Sequence, residues 1–266
     1  MSRIDRRFAA LKSAGRTGLI PFVTAGDPSP DHVVPLMHAL VAAGADVIEL
    51  GVPFSDPMAD GPVIQRSSER AIEKGVSLTN VLAWVAAFRE TDADTPIVLM
   101  GYLNPIEMHG YAEFAEEAVE AGIDGILVVD CPLEESHVLA PLREAGLHQI
   151  LLASPTTAER RLGALCEAAS GFLYYVSFNG ITGAAQLSTG DIAERVAGIR
   201  ARSKAPVAVG FGVRDAASAK AIGEFADAVV IGSALVQRLE GATSADDAAG
   251  RARDFLAPIR AALDER

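Results

Sequence analysis

Two carboxylates have the residue types and the settings expected of acid–base chemistry. Glu49 lies inside the apolar run VIEL, where burying a charge is costly. Asp60 follows in a loop, between Ala59 and Gly61. Burial raises the pKa of a carboxyl group and suits it to exchange protons near neutral pH. The stretch predicts a catalytic pair, with two ordinary alternatives: a buried ion pair for Glu49 and a turn cap for Asp60.

A second chemical signal is the tyrosine pair Tyr174 and Tyr175, which lies in the apolar run FLYYV. Side chains alternate between the two faces of a strand. One phenol is therefore expected to enter the interior of the sheet, and the other is expected to pack beneath helices. The pattern alone does not say which does which.

Eight short apolar runs predict the elements that must position these residues. Each run is followed by a helical pattern, and the opening segment is also helical because Ile4, Phe8 and Leu11 form one apolar stripe. Eight strands alternating with helices predict a (β/α)8 TIM barrel with an extra N-terminal helix, formed by residues 1–266 as one domain. An open doubly wound sheet is the alternative, although no GxGxxG follows the first strand. The predicted strands are 19–23, 47–50, 97–100, 126–129, 150–153, 172–176, 207–210 and 228–231.

Two connections are longer than the others, residues 51–96 and 177–206. Long loops after barrel strands lie at the mouth, where barrel enzymes have their active sites. We interpret these βα-loops 2 and 6 as mobile lids over the mouth.

The last two strands end in glycines that predict a phosphate site. Gly210-Phe211-Gly212 ends the seventh strand and Ile231-Gly232-Ser233 ends the eighth, and Gly183 in the sixth loop could add a contact. Barrels often bind phosphate in these loops through backbone N–H groups. Tight strand–helix turns would give the same pattern.

Several other classes of function are disfavoured. A net charge of −12 argues against a general nucleic-acid binder. No apolar run reaches the roughly 20 residues of a membrane span, and the start resembles an amphipathic helix rather than a signal peptide. Two distant cysteines without a CxxC motif indicate a cytoplasmic protein. No lysine or histidine ends a predicted strand, so neither Schiff-base nor metal-dependent chemistry is expected.

Six motifs in order resemble those of the tryptophan synthase alpha chain family. The longest is IELGVPFSDPMADGPVIQ, and the others are IPFVTAGDP, MGYLNP, YYVSFNGITG, VGFGV and IGSALV. The resemblance covers the whole chain. It implies a lyase that cleaves indole-3-glycerol phosphate into indole and glyceraldehyde 3-phosphate in L-tryptophan biosynthesis.

The resemblance also implies residue roles. Glu49 and Asp60 match the catalytic carboxylates, and Tyr174 rather than Tyr175 matches the catalytic-site tyrosine. Phe178 stands where the family often has a lid arginine, which puts a lid salt bridge in doubt, and Val129 stands in place of a proline. The implied indole-pocket residues are Phe22, Met100, Leu127 and Phe211; Thr182 matches a lid threonine; and the implied phosphate contacts are Gly183, Gly212, Gly232 and Ser233.

A partner is implied as well. Family members pair with a pyridoxal-phosphate beta chain in an α2β2 complex, so no cofactor is expected in this chain. The implied contact surface at the mouth is Pro53, Asp56, Asn104 and Asp130. A stand-alone lyase that releases free indole and a non-catalytic regulatory subunit remain as alternatives.

Overall fold

Parallel strands form the central wall of the molecule in a computed structural model that describes residues 1–176, 189–210 and 212–265. Nine strands lie in one sheet within this part of the chain, and every pairing between them is parallel. In chain order they are β1 Gly18–Thr24, β2 Ile48–Gly51, β3 Ile97–Gly101, β4 Gly125–Val128, β5 His148–Gln149, β6 Leu151–Ala153, β7 Leu173–Val176, β8 Val207–Gly210 and β9 Ala228–Ile231.

The sheet nearly closes on itself as a (β/α)8 barrel. Its strand order runs β5-β4-β3-β2-β1-β9-β8-β7-β6, so its two ends are β5 and β6. Only Ile150 separates these two short strands, and its N–H donates to the carbonyl of Ile126 on β4 at 2.8 Å. The predicted fifth strand is therefore a single barrel strand with a break at Ile150, and it begins two residues before its predicted start.

Helices surround this wall as the alternating pattern predicts. Two 3₁₀ helices, Pro30–His32 and Leu133–Leu139, replace the start of predicted helices. The second precedes a short α-helix because Pro141 has no N–H with which to continue the α-helical hydrogen bonds. The α-helices are α1 Arg3–Ala14, α2 Val33–Ala42, α3 Pro62–Glu73, α4 Leu78–Arg89, α5 Leu103–His109, α6 Tyr111–Ala121, α7 Ala140–Glu144, α8 Glu159–Ala168, α9 Thr189–Arg200, α10 Ala216–Gly223, α11 Ser233–Leu239 and α12 Ala245–Asp264.

The interpretation of residues 51–96 as one long lid is wrong. Helices α3 and α4 occupy most of this interval, and only residues 52–61 form a loop at the mouth. The loop therefore ends at a fixed point, because Gly61 is the N-cap of α3 and Pro62 is its first residue.

Apolar side chains fill the barrel interior. Ile20, Val47, Leu127 and Phe172 belong to one buried cluster, and α1 contributes Ile4, Phe8 and Leu11 to it from the N-terminal ends of the strands. The extra N-terminal helix thus closes the barrel at the end opposite the mouth. Because the interior below is packed, the open part of the barrel is at the C-terminal ends of the strands.

At this closed end, aspartates hydrogen-bond to the first residues of neighbouring strands. The N–H of Asp124 donates to the carbonyl of Ile97, and the Asp124 carboxylate accepts from the N–H of the same Ile97 at 2.9 Å. The same reciprocal arrangement joins Asp46 to Leu19 and Asp227 to Val207. Across the described ranges, no helix combines the length and hydrophobicity needed to cross a membrane.

Candidate active site

Glu49 is buried in the interior of the barrel near its mouth. It is 1% exposed and lies directly opposite Phe22 of β1 and Val98 of β3 in the strand register. Its Oε1 atom has no hydrogen-bond partner, and no ion pair includes Glu49 within the described residues. Burial, and then the negative charge of Asp60, raise the pKa of Glu49 to about 8. Glu49 is therefore a carboxylic acid that holds its proton at neutral pH and can both donate and accept a proton.

Asp60 lies near the end of the loop 52–61 and is held by Tyr102, which directly follows β3. The Tyr102 hydroxyl donates to Asp60 Oδ2 at 2.9 Å and accepts the N–H of Ala59 at 3.0 Å. Burial raises the pKa of Asp60, while the hydrogen bond from Tyr102 acts against that rise. The Asp60 carboxylate is therefore hydrogen-bonded to Tyr102. It does not cap α3, because the N-cap residue of that helix is Gly61, with no side-chain capping bond.

Tyr174 is the tyrosine that faces the barrel interior. It packs against the interior cluster, whereas Tyr175 belongs to the outer cluster beneath the helices. Burial first, and then the charges of Glu49 and Asp60, raise the pKa of the Tyr174 phenol well above its usual value. A side chain at Gly210 would collide with this ring, because a Cβ atom there would lie 2.7 Å from Tyr174 Cζ. The phenol thus shares one space with both carboxylates.

The predicted indole-pocket residues in the described part of the chain also face this space. Phe22 is buried, Leu127 belongs to the interior cluster, and Met100 packs against that cluster. A cavity at the mouth is lined by Phe22, Met100 and Asp60, together with Gly51, Tyr102 and neighbouring residues. The geometry places apolar surface beside the acids, as a planar aromatic substrate would require.

Three of the four predicted phosphate residues lie after the last two barrel strands. Gly212 follows β8 with a left-handed φ of 78°, which disfavours any larger residue there. Gly232 follows β9, and Ser233 is the first residue of α11. Phe178, Thr182, Gly183 and Phe211 lie outside the described residues.

Comparison with known proteins identifies the family. The family model described as "Tryptophan synthase alpha chain" matches residues 8–261. The chain belongs to the tryptophan synthase alpha chain family.

Individual relatives agree with the family model over the whole chain. The tryptophan synthase alpha chain of Laribacter hongkongensis is 60% identical, covering 99% of this chain and all of that protein. That of Thioalkalivibrio sulfidiphilus is 58% identical over the same shares. The crystal structure of tryptophan synthase subunit alpha from Legionella pneumophila superposes with a TM-score of 0.93 at 44% identity, covering both chains completely. The barrel fold predicted from the sequence is thereby confirmed.

Membership in the tryptophan synthase alpha chain family implies a beta-chain partner. Of the four predicted contact residues, Asp56, Asn104 and Asp130 are exposed at the mouth, whereas Pro53 is buried. The Asp130 carboxylate accepts the N–H of Leu103 at 2.8 Å and so holds the start of α5, which carries Asn104. These exposed residues form one rim.

Two residues at this alpha-chain site were missed by the sequence reasoning, Tyr102 and Gln65. Tyr102 lies two residues after Met100, so the strand alternation that brings Met100 inward also predicts an inward Tyr102. Gln65 lies on the first turn of α3, and its side-chain amide donates to the carbonyl of Asp60 at 2.9 Å. No periodic signal predicts such a contact from sequence.

Proposed function

We propose that Glu49, Asp60 and Tyr174 carry out the alpha reaction of tryptophan synthase. The family assignment makes the chain a carbon–carbon lyase of L-tryptophan biosynthesis that cleaves indole-3-glycerol phosphate into indole and glyceraldehyde 3-phosphate. One observation carries the residue assignment: Glu49 is buried without an ion-pair partner in the described chain, and its pKa is about 8. The negative charge of Asp60 acts on the pKa of both Glu49 and Tyr174.

Glu49 is the proton carrier in this proposal. Breaking a bond between a side chain and an aromatic carbon requires that this carbon first accept a proton. Protonated Glu49 delivers that proton to indole C3, and the resulting carboxylate removes the proton from the glycerol hydroxyl as the carbon–carbon bond breaks and the aldehyde forms. The proton balance is zero over the cycle, so Glu49 ends as it began. A pKa of about 8 supplies the protonated form at neutral pH.

Asp60 and Tyr174 stabilise the charge that develops during this transfer. Protonation at C3 makes the indole ring cationic, and the Asp60 carboxylate accepts the indole N–H and stabilises that charge. The hydrogen bond from Tyr102 favours the anionic form of Asp60 that this role needs. The raised pKa keeps the Tyr174 phenol protonated, so it acts as a hydrogen-bond donor beside the carboxylates.

The remaining site residues bind the two ends of the substrate. Phe22, Met100 and Leu127, with Phe211, surround the indole ring. The phosphate binds at the loops after the last strands, and the sixth loop covers it. The proposed phosphate and lid residues are Thr182, Gly183, Gly212, Gly232 and Ser233.

Assembly and location extend the proposal. The chain joins a beta chain in an α2β2 complex in the cytoplasm, and the pyridoxal phosphate belongs to the beta chain. The rim residues Asp56, Asn104 and Asp130, with Pro53 in the adjoining loop, form the contact. Residues 1–266 fold as one domain. The support is family membership, together with the exposure of three of the four residues.

The test is indole release from indole-3-glycerol phosphate by the isolated chain and by its Glu49→Gln variant. General acid–base catalysis contributes about 10²–10⁴-fold, so kcat should fall by that factor while a substrate analogue still binds. Glu73→Gln is the matched control, because Glu73 is an exposed glutamate at the end of α3. Near-normal turnover by Glu49→Gln would rule out the mechanism.

Adding the beta chain to the same assay separates the alternatives. A slow rate that the beta chain increases supports the synthase subunit. A fast rate that the beta chain does not change would indicate a stand-alone lyase. No indole release under either condition would indicate a regulatory subunit without catalysis.

A further inference from the structure

Helix α3 is fixed to the barrel at two points. The Arg70 guanidinium forms a bidentate ion pair with Asp27, in the loop after β1, with both N···O distances 2.8 Å. One turn earlier, the Ser67 hydroxyl hydrogen-bonds to the Thr24 hydroxyl of β1 at 2.6 Å. Bidentate arginine–carboxylate pairs fix both distance and orientation. The middle of α3 is therefore fixed to the barrel, a few residues after the loop that carries Asp60.

Gln65 extends from this helix back to that loop. Its Nε2 atom lies 2.9 Å from the carbonyl oxygen of Asp60 and 3.4 Å from that of Pro57. Both neighbours can only accept hydrogen bonds, so the donating side of the amide faces them. The N–H of Asp60 also donates to the Pro57 carbonyl at 3.0 Å. Gln65 thus binds the final turn of the loop where it passes into α3.

Asp60 is consequently held at two places by two different elements. Gln65 of α3 holds its main-chain carbonyl, and Tyr102, just after β3, holds its carboxylate. The Tyr102 ring is itself stacked on Phe54 of the same loop, with ring centroids 5.0 Å apart. Each contact limits a different motion, since one fixes the backbone and the other fixes the side chain.

We infer that Gln65 is a positioning residue for Asp60: its amide holds the loop so that the Asp60 carboxylate stays on Tyr102 and faces Glu49. This inference rests on the proposed function for its catalytic consequence, but the contact with Asp60 does not depend on the reaction. Gln65 lies outside the acid–base pair itself. It acts only through the position of Asp60.

The first experiment measures the titration of Asp60 by carboxyl ¹³C NMR in the wild-type chain and in Gln65→Met. Methionine keeps the length of the side chain and removes the donor. When the loop is released, Asp60 should leave the Tyr102 hydroxyl, which favours its anionic form, and its pKa should rise. An unchanged Asp60 titration would overturn the inference, whether or not the chain cleaves indole-3-glycerol phosphate.

Arg66→Met is the matched control, because Arg66 is the exposed neighbour of Gln65 on the same turn. It should leave the Asp60 titration unchanged. If Gln65→Met fails to fold, Gln65→Leu also removes the donor, and it adds no charge near Asp60. The same upward movement of the Asp60 titration is expected from it, and its absence would equally overturn the inference.

The second experiment measures the kinetic consequence. Misplacing a catalytic group by about 1 Å costs about 10²-fold, so kcat of Gln65→Met should fall by about that factor with a smaller change in KM. If Gln65 acts through Asp60, adding Gln65→Met to Asp60→Asn should cause little further loss. Independent, additive losses would contradict the inference. Lack of activity in the wild-type chain would instead count against the proposed function.

Discussion

At the scale of single residues, Glu49 lowers the stability of the fold at high pH. Its folded pKa of about 8 lies above the ordinary value of 4.5, so between these pH values the folded chain holds a proton that the unfolded chain releases. The free energy of unfolding contributed by this group is therefore fully present below about pH 4.5 and is lost as pH rises through about 8.

Glu49→Gln should therefore be more stable than the wild-type chain above pH 8 and nearly equal to it near pH 5. Each pKa unit corresponds to about 1.4 kcal/mol, so the gain at high pH should be a few kcal/mol. Urea unfolding at several pH values measures it. Glu73→Gln, at an exposed position, should show no pH-dependent gain. Equal stability differences at pH 5 and pH 9 would mean that Glu49 is not buried as an acid.

Tyr102→Phe should change the pH dependence of catalysis rather than only its rate. Loss of the hydroxyl removes the bond that opposes the raised pKa of Asp60, so Asp60 needs a higher pH to ionise. The acid limb of kcat/KM should move to higher pH, and the rate at neutral pH should fall about tenfold, as expected for one bond to a charged group. Tyr111→Phe is the control, because Tyr111 lies on α6. An unmoved acid limb would exclude Tyr102 from the titration of Asp60.

These residues show which parts of the site a sequence can reveal. Glu49 was predicted as a catalytic residue because a charged side chain inside an apolar strand is unusual. The bond between Tyr102 and Asp60 joins residues 42 positions apart, and it exists only because the loop 52–61 folds over the end of β3. Such a contact depends on tertiary structure, which local patterns do not encode.

At the scale of elements, local sequence patterns predict the strands better than the helices. Seven of the eight predicted strands match within one residue at each end, because strands buried on both faces are continuous apolar runs. The break at Ile150 depends on pairing with neighbours and has no local signal. Helix α3 was missed because its sequence, PVIQRSSERAIE, begins among Gly, Pro and Asp and has few apolar residues.

The buried carboxylate of Asp124 at the closed end should be worth several kcal/mol. Asp124 is buried, accepts the N–H of Ile97, and pairs with Arg3 at 3.0 Å and Arg89 at 2.9 Å. Asp124→Ala leaves two cations and a buried N–H without this partner, which typically costs about 3–5 kcal/mol. A lower urea midpoint measures the loss. Asp94→Ala, at a nearby exposed aspartate, should change the midpoint little, and equal effects of the two would contradict the assignment.

At the scale of the whole molecule, the two ends of the barrel differ in what they expose. The closed end is covered by α1 and tied by aspartates. The mouth presents two exposed methionines, Met58 at 86% in the loop 52–61 and Met108 at 78% near the end of α5. Exposed methionines are typical of protein-binding surfaces, since the side chain adapts to its partner. They lie in the same loop as Asp56 and on the same helix as Asn104, which supports the mouth as the surface that meets the beta chain.

Met108→Asp should weaken binding of the beta chain without changing the isolated enzyme. Burying a methionine contributes about 1.5–3 kcal/mol, so the concentration of beta chain that gives half-maximal stimulation of indole release should rise about 10–100-fold. Basal indole release should stay unchanged, because Met108 is on the surface of α5 and outside the cavity. Val119→Asp is the control, since Val119 is also an exposed apolar residue, 46% exposed, but lies near the closed end of the barrel on α6. Equal weakening by both variants would mean that a general loss of apolar surface, rather than the mouth, governs assembly.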